Sequence, residues 1–263
     1  SDLVGEFPEL QGLMGGYFSE HQGFDKDISL AISEQYLPIG LNSMVPKKPF
    51  SVALSITDKI DTLVGFFGIN EKPTSSKDPL ALRRIALGII RTTIENKKNL
   101  KINDLLNYSS RLYDDQGYNL NNKDLQNELH NFLKDRFKYY LKEKEIRYDI
   151  IEATLSSFSL NKLFSSFEKA KCLNKVINSQ IGIDINSSFK RASNILDHEM
   201  KNNEIEINDI TDPGIFKSDF EKNLYKKIND IKKYYSTINS DENCEKSLSI
   251  LAETKKEVFE FFD

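Results

Sequence analysis

The chain has 263 residues, of which 39% are hydrophobic and 29% charged, and its net charge is −4. This composition is typical of one large or two ordinary folded domains and excludes an intrinsically disordered chain. No apolar run approaches the ~20 residues that span a bilayer, and the first residues do not resemble a signal peptide. We therefore expect a cytoplasmic protein with no membrane partner.

The first third of the chain is predicted to be helical. Apolar residues recur at helical spacing from the very start, so a helix is already under way at residue 1, which indicates a piece of a longer protein. The next helix should be capped near Asp25 or Asp27 and end at Pro38. After a loop, residues 51–69 carry apolar side chains on one face, which predicts a core helix.

The stretch "NEKPTSSKDPLALRRIALG", residues 70–88, combines a loop rich in Lys, Pro and Ser with a basic helix. Asp78 is the predicted N-cap, Pro79 is the predicted first helical residue, and the helix should run past Ile94. Residues 72–101 hold eight basic side chains against two acidic ones, whereas residues 1–35 hold seven acidic against one basic. Charge is therefore segregated along the chain.

Charge alone leaves two interpretations of this basic segment open. Charged helix faces are usually solvated, but arginines beside lysines and hydroxyl groups also fit a phosphate backbone, and a helix N-terminus adds partial positive charge. The candidate phosphate ligands are Lys72, Lys77, Arg83, Arg84 and Arg91, with Thr74, Ser75 and Ser76 as further donors. A weaker second candidate surface is Lys190, Arg191 and Asn194, for which an ordinary helix surface is the simpler interpretation.

Residues that carry chemistry are sparse. Asp58 and Asp61 lie one turn apart on the core helix and are able to hold a divalent cation or act as acid and base. A structural role is favoured because no histidine follows at ligand spacing.

Cys172 and Cys244 have no metal-ligand neighbours, so they are expected to be reduced thiols that act as small apolar residues. The rest of the chain has helical patterns, which makes the predicted fold all-α.

Six strings occur in order along nearly the whole chain: "GEFPELQGLMGGYF", "AISEQYLP", "VALSITDKIDTLVGFFGINEKPTSSKDPLALRRIALGIIR", "RFKYYLKEKEIRYDIIEATL", "FKRASNIL" and "EVFEFFD". Together they resemble the C-terminal part of the β subunit of bacterial heterotetrameric glycyl-tRNA synthetase. The resemblance implies that residues 1–103 are the later part of an HD-like helical domain and carry the basic loop and helix. Residues 104–263 would be a helical linker and a helical-bundle domain similar to an anticodon-binding domain, truncated at its C-terminus.

The same resemblance implies a division of labour. In that family the α subunit carries the aminoacylation site and the β subunit supplies most of the tRNA contacts. The implied partners are glycine tRNA, the α subunit and the rest of the β chain. ATP and Mg²⁺ would be used by the complete enzyme, and no cofactor, metal or catalytic residue is expected in this portion. The basic-segment ligands would contact the acceptor side or backbone of the tRNA, and the surface around Lys190 would contact the anticodon arm.

Hydrolases of the HD superfamily hold metal with a His, a His-Asp pair and a later Asp. Asp58 matches the later Asp, but this sequence has no His-Asp dipeptide, His21 is followed by Gln22, and Gln35 is no metal ligand. The resemblance therefore implies a degenerate site with a structural Asp58. The predicted function is the tRNA-binding portion of a glycine–tRNA ligase. The alternatives are a subunit-docking scaffold that uses the apolar and acidic N-terminal segment or, less favoured, a metal-dependent phosphohydrolase.

Overall fold

The computed structural model describes residues 2–40, 42–74, 76–118, 120–203, 211–237 and 244–262. Within these ranges the chain consists of helices and connections and contains no strand, which confirms the predicted all-α fold. The helices are α1 (Asp2–Glu6), α2 (Leu13–His21), α3 (Lys26–Glu34), α4 (Pro49–Gly68), α5 (Leu82–Glu95), α6 (Ile102–Asp115), α7 (Leu125–Glu143), α8 (Tyr148–Ser156), α9 (Leu163–Val176), α10 (Gln180–Asn203), α11 (Asp219–Thr237), α12 (Cys244–Ala252) and α13 (Thr254–Phe262). Across the same ranges, no helix combines the length and the hydropathy needed to cross a bilayer.

Contacts between helices divide the chain into a first unit, Ser1–Glu168, and a second unit, Lys169–Asp263. The boundary that the resemblance implies lies elsewhere, between residues 103 and 104. That boundary concerns family domains, whereas the two units are defined by packing alone. The division into an HD-like part and an anticodon-binding-like part therefore stays a prediction.

The core of the first unit lies where α5 packs against α4 and α7. Every residue of α5 from Ala86 to Ile94 is buried, and a helix that is buried all round must be surrounded by other elements. Its neighbours contribute fully buried side chains such as Leu63 of α4 and Phe137 of α7. The prediction of a core helix at 51–69 is confirmed by α4.

Helices α2 and α3 form a close pair at the start of the chain. Asp25 caps α3 by accepting a hydrogen bond from the Asp27 backbone N–H at 2.8 Å, which confirms one of the two predicted caps. A Cβ atom on Gly16 of α2 would lie 1.8 Å from Ser33 Oγ of α3, so only a glycine allows this approach. Because small residues form this contact, the larger apolar side chains of α2 point elsewhere.

Helix α5 begins later than the sequence predicts. Its first residue is Leu82 rather than Pro79, and Ala81 before it has a φ of 54°, in the left-handed region. A turn occupies residues 78–81, a setting that suits proline as well as a helix start does. The Asp78 carboxylate still caps the helix, because it accepts from the N–H groups of Leu82 at 2.8 Å and Arg83 at 3.0 Å. These N–H groups are therefore not available to a phosphate, contrary to the expectation.

A buried lysine holds the connection between α3 and α4. Lys59 is 4% exposed, and its Nζ donates to the carbonyls of Gln35 at 3.1 Å and Leu37 at 2.9 Å. The close approach of α5 depends on Gly88, because a Cβ atom there would lie 2.8 Å from Lys59 Cε. Glycine at this position thus makes room for the lysine between the two helices.

In the second unit, α10 packs against α12 and α13, and α11 packs against α13. Cys172 of α9 and Cys244 of α12 form a disulfide, so the expectation of two reduced thiols is wrong for this structure. The two cysteines are 72 positions apart in the sequence, but the helices bring their Cα atoms to 6.4 Å. A contact of this range is set by helix packing, which cysteine spacing does not reveal.

Lys59 should make the protein more stable as the pH rises. Burial lowers its pKa in the folded state to about 8, with Asp58 opposing the shift, whereas the ordinary value is 10.5. Between these values the unfolded chain binds more protons, so from pH 7.5 to 9.5 the free energy of unfolding should rise by about 2 kcal/mol more than in Lys59→Met. Denaturant unfolding followed by circular dichroism measures this difference.

The measurements stay below pH 10 so that the ionisation of Tyr140 does not contribute to the pH dependence of the free energy of unfolding. Burial raises the pKa of Tyr140 to about 12, so its contribution is lost only as the pH rises above 10. The same tyrosine is present in Lys59→Met, which serves as the control. An identical pH dependence in both proteins would show that the ammonium is not buried as described.

The disulfide is tested by counting thiols. In protein purified without reductant and unfolded in guanidinium, we expect no reactive thiol from Cys172 and Cys244, and two after dithiothreitol. Reduction should also destabilise the second unit, by up to about 4 kcal/mol on the chain-entropy scale for a loop of this length. A variant with serine at both positions should be insensitive to reductant, and two reactive thiols before reduction would contradict the pairing.

Candidate nucleic-acid interface

The loop before α5 is closed by its own hydrogen bonds and fastened by Arg83. The Thr74 N–H donates to the Lys77 carbonyl at 2.9 Å, and the Lys77 N–H donates to Thr74 Oγ1 at 3.2 Å. The Arg83 guanidinium donates to the Thr74 carbonyl. Arg83 is therefore partly engaged in positioning the loop, whereas the side chains of Lys77 and Ser76 are exposed. Ser75, a predicted donor, lies outside the described residues.

Lys72 is paired with a carboxylate. Its Nζ lies 2.5 Å from Glu128 Oε2, and the Asn122 side-chain amide donates to the same oxygen at 2.6 Å. The hydrogen bond from Lys72 is the main cause that lowers the pKa of Glu128, which keeps the carboxylate charged. The positive charge of Lys72 is thus compensated locally, and this lysine offers less to a phosphate than its sequence position indicates.

Arg91 lies inside the first unit, with 6% of its surface exposed. Its Nε donates to Glu95 Oε1 at 2.8 Å, its Nη2 donates to the Ser43 carbonyl at 2.7 Å, and its Nη1 donates to the Gly40 carbonyl. The guanidinium therefore binds the α3–α4 connection. The prediction that Arg91 contacts a nucleic acid is therefore wrong, because its guanidinium is buried and bound within the first unit.

The other arginines of this region meet at an open cleft between α5 and α7, which we call the arginine cleft. Arg83 and Arg84 of α5 and Arg136 of α7 line it, together with Ile39, Gly40, Leu87 and Tyr139, and its volume is about 520 Å³. Sequence reasoning missed Arg136 because glutamates offset the basic residues around it. The available signal was the spacing of Arg136 and Tyr139, which places them one turn apart on a helix.

Three guanidinium groups give the arginine cleft its positive charge. Among the described residues, no carboxylate forms an ion pair with Arg83, Arg84 or Arg136. The Nε of Arg136 is buried and has no hydrogen-bond partner within the described part of the chain. A buried donor left in this state costs about 1–3 kcal/mol, which an anion or a water molecule in the cleft would relieve.

The second predicted surface lies on α10 of the second unit. Lys190 and Asn194 are exposed and lie one turn apart, so they share a face of the helix. Arg191 is half-buried instead, and its Cζ lies 4.6 Å from the ring centroid of Phe259 on α13. The structure thus brings Lys190 and Asn194 together and directs Arg191 to the interior of the bundle.

Asp58 takes part in a hydrogen bond within the first unit. Gln35 donates from its side-chain amide to Asp58 Oδ1 at 2.9 Å, which agrees with a structural role. Asp61, one turn further along α4, is exposed. In the described ranges, no three or more His, Cys, Asp or Glu side chains are grouped so that they would hold a metal ion.

Comparison with known proteins gives a consistent result. A family model described as "Glycyl-tRNA synthetase beta subunit" matches residues 1–156. The chain is similar to glycine–tRNA ligase beta subunits of Rickettsia canadensis (39% identical over 264 residues), Dinoroseobacter shibae (36% over 249) and Cereibacter sphaeroides (33% over 267). These alignments cover 100%, 86% and 100% of this chain but 37%, 35% and 38% of the relatives. The chain therefore spans little more than a third of the length of the curated relatives it matches.

Replacing Arg91 should lower the stability of the protein and should not act on RNA binding directly. Arg91→Ala removes the arginine donor from the Ser43 carbonyl, from the Gly40 carbonyl, which keeps a bond from the Ser43 hydroxyl at 3.0 Å, and from Glu95. We therefore expect a loss of about 2–3 kcal/mol in the free energy of unfolding. Arg111→Ala, at an exposed position of α6, is the matched control and should cost less than about 0.5 kcal/mol. Denaturant unfolding gives both values, and equal stabilities would show that Arg91 does not hold the connection.

Proposed function

The chain belongs to the glycyl-tRNA synthetase beta subunit family, and we propose that it is a tRNA-binding portion of that subunit. It supports the glycylation of tRNA and supplies no catalytic residue. In this proposal the α subunit carries the aminoacylation site and uses ATP and Mg²⁺. This chain and the rest of the β chain hold glycine tRNA, and the complete enzyme is a cytoplasmic heterotetramer.

The arginine cleft carries this proposal, because three guanidinium groups line it and no ion pair holds them within the described part of the chain. A protein with a net charge of −4 does not attract RNA by its overall charge, so binding needs a local concentration of positive groups. Guanidinium groups suit this purpose because their planar donors match two phosphate oxygens at once. Contacts of this kind position the RNA and carry little sequence information.

The geometry refines the set of proposed contacts. The direct phosphate ligands are Arg84 and Arg136 in the cleft and Lys77 on the loop. Arg83 contributes charge to the cleft while it fastens the loop, and Lys72 contributes less because Glu128 compensates it. In the second unit, Lys190 and Asn194 form a second contact, which we assign to the anticodon arm.

A degenerate HD-like scaffold is proposed for the helices around Asp58. The aspartate that would bind metal in an HD-type hydrolase instead accepts a hydrogen bond from Gln35. This arrangement uses the carboxylate to fasten the end of α3 to α4. It gives no support to the phosphohydrolase alternative, which would need further ligands around Asp58.

Subunit docking is a second candidate function, favoured by the N-terminal helices. Tyr17 and Phe18 of α2 are 64% and 57% exposed, and Phe24 after it is 55% exposed. Residues 1–35 also carry seven acidic side chains against one basic one. Exposed aromatic side chains are typical of a protein contact. The carboxylates around them would repel the phosphates of a nucleic acid. Docking through these helices and tRNA binding through the arginine cleft use different surfaces and are compatible.

Replacing Arg84 should weaken tRNA binding and reduce its salt dependence. For Arg84→Ala we expect the slope of log K against log salt for glycine tRNA to become less negative by about 0.9, the contribution of one phosphate contact. Filter binding between 50 and 200 mM salt, about the range over which such contacts are lost, measures the slope. Arg111→Ala again serves as the control, because Arg111 is exposed but lies outside the cleft.

Two results would contradict the proposal. Undiminished affinity in a folded Arg83→Glu plus Arg84→Glu variant would show that the cleft does not bind tRNA. If the chain binds the α subunit but does not bind tRNA, its function is subunit docking.

A further inference from the structure

Phosphate binding alone leaves one part of the arginine cleft unused, the aromatic ring of Tyr139. This residue lies on α7 one turn after Arg136 and is 37% exposed. The Arg136 guanidinium covers the ring, with Cζ 5.7 Å from its centroid. Burial and, next, the nearby Glu143 carboxylate raise the pKa of Tyr139, so the ring stays neutral well into the alkaline range. The cleft thus presents a neutral aromatic surface beside its positive charges.

Two aliphatic side chains extend this apolar part. Leu87 of α5 is 8% exposed, and Ile39 from the α3–α4 connection is 57% exposed at the cleft. A phosphate group makes no use of such surface. A nucleobase does, because its faces stack on tyrosine rings and on guanidinium planes.

The size of the cleft restricts the ligand. About 520 Å³ lies within the range of roughly 300–1,000 Å³ that small-molecule sites occupy. A single nucleotide fits such a space, whereas the diameter of a double helix does not. The cleft is also open to solvent, so a nucleotide within a strand is able to enter it.

We propose that the arginine cleft receives one unpaired nucleotide of an RNA, with its base against Tyr139 and Ile39 and its phosphate on Arg84 and Arg136. The inference rests on the proposed function because it takes RNA as the polymer. It adds a preference for single-stranded RNA over duplex, since a paired base has both faces stacked inside its own helix.

The experiment compares two RNA hairpins that differ only in a short single-stranded 3′ overhang. Fluorescence anisotropy with the full 263-residue chain measures both affinities. We expect the overhang hairpin to bind about tenfold more tightly, the effect of one stacked base. Tyr139→Ala should remove this preference, so that the affinity for the overhang hairpin falls about tenfold more than the affinity for the blunt hairpin. Tyr139→Phe should keep the preference, because stacking needs the ring and not the hydroxyl.

Tyr108 provides a matched control. It lies on α6, is 57% exposed, and faces Arg111 three residues later, with the Arg111 Cζ 6.0 Å from the ring centroid. Tyr108→Ala therefore removes the same kind of arginine–tyrosine pair outside the cleft and should preserve the preference for the overhang.

Three results would overturn the inference. The first is a preference for the overhang that survives Tyr139→Ala. The second is equal binding of both hairpins to the parent chain. The third is binding of adenosine monophosphate alone as tightly as the overhang hairpin, which would make this a site for free nucleotides. Failure of the proposed function is distinguishable from all three, because then neither hairpin nor glycine tRNA would bind.

Discussion

The connection between α3 and α4, residues 35–48, depends on two buried cations that satisfy its carbonyl groups. Lys59 from α4 binds the carbonyls of Gln35 and Leu37, and Arg91 from α5 binds those of Gly40 and Ser43. The hydroxyls of Ser55 and Ser43 also donate to the carbonyls of Leu37 and Gly40. A buried carbonyl left without a donor costs about 1–3 kcal/mol, so these contacts fix the path of a segment whose described residues contain no helix. That path places Ile39 and Gly40 at the arginine cleft. The candidate site therefore depends on the charged groups of Lys59 and Arg91, which are buried.

The same constraint explains why two arginines of one helix have different roles. Arg84 and Arg91 are seven residues apart, so they lie on the same face of α5. The α3–α4 connection covers this face at Arg91 and makes the guanidinium part of the interior. At Arg84 the face is uncovered and borders the cleft. No pattern within the helix distinguishes the two positions, because the covering segment comes from elsewhere in the chain.

Local signals in the sequence located helices and one cap, whereas contacts between distant parts of the chain could not be predicted. Apolar periodicity located α4, and Asp25 capped α3 as predicted. The predicted start of α5 at Pro79 is wrong, because proline suits a turn as well as a helix start and the helix begins at Leu82. The cysteine pair and the place of Arg136 in the cleft were beyond sequence reasoning. Both depend on how helices far apart in the sequence pack against each other.

An acidic protein is compatible with an RNA-binding cleft because charge acts locally in salt. At physiological ionic strength the Debye length is about 8 Å, so exposed charges further away than this are largely screened. In the proposed binding mode, a phosphate inside the cleft would therefore interact mainly with the guanidinium groups that line it. The net charge of −4 disfavours indiscriminate binding over the rest of the surface. In the proposed binding mode, this segregation of charge would favour a docking orientation in which the RNA meets the cleft rather than the N-terminal helices.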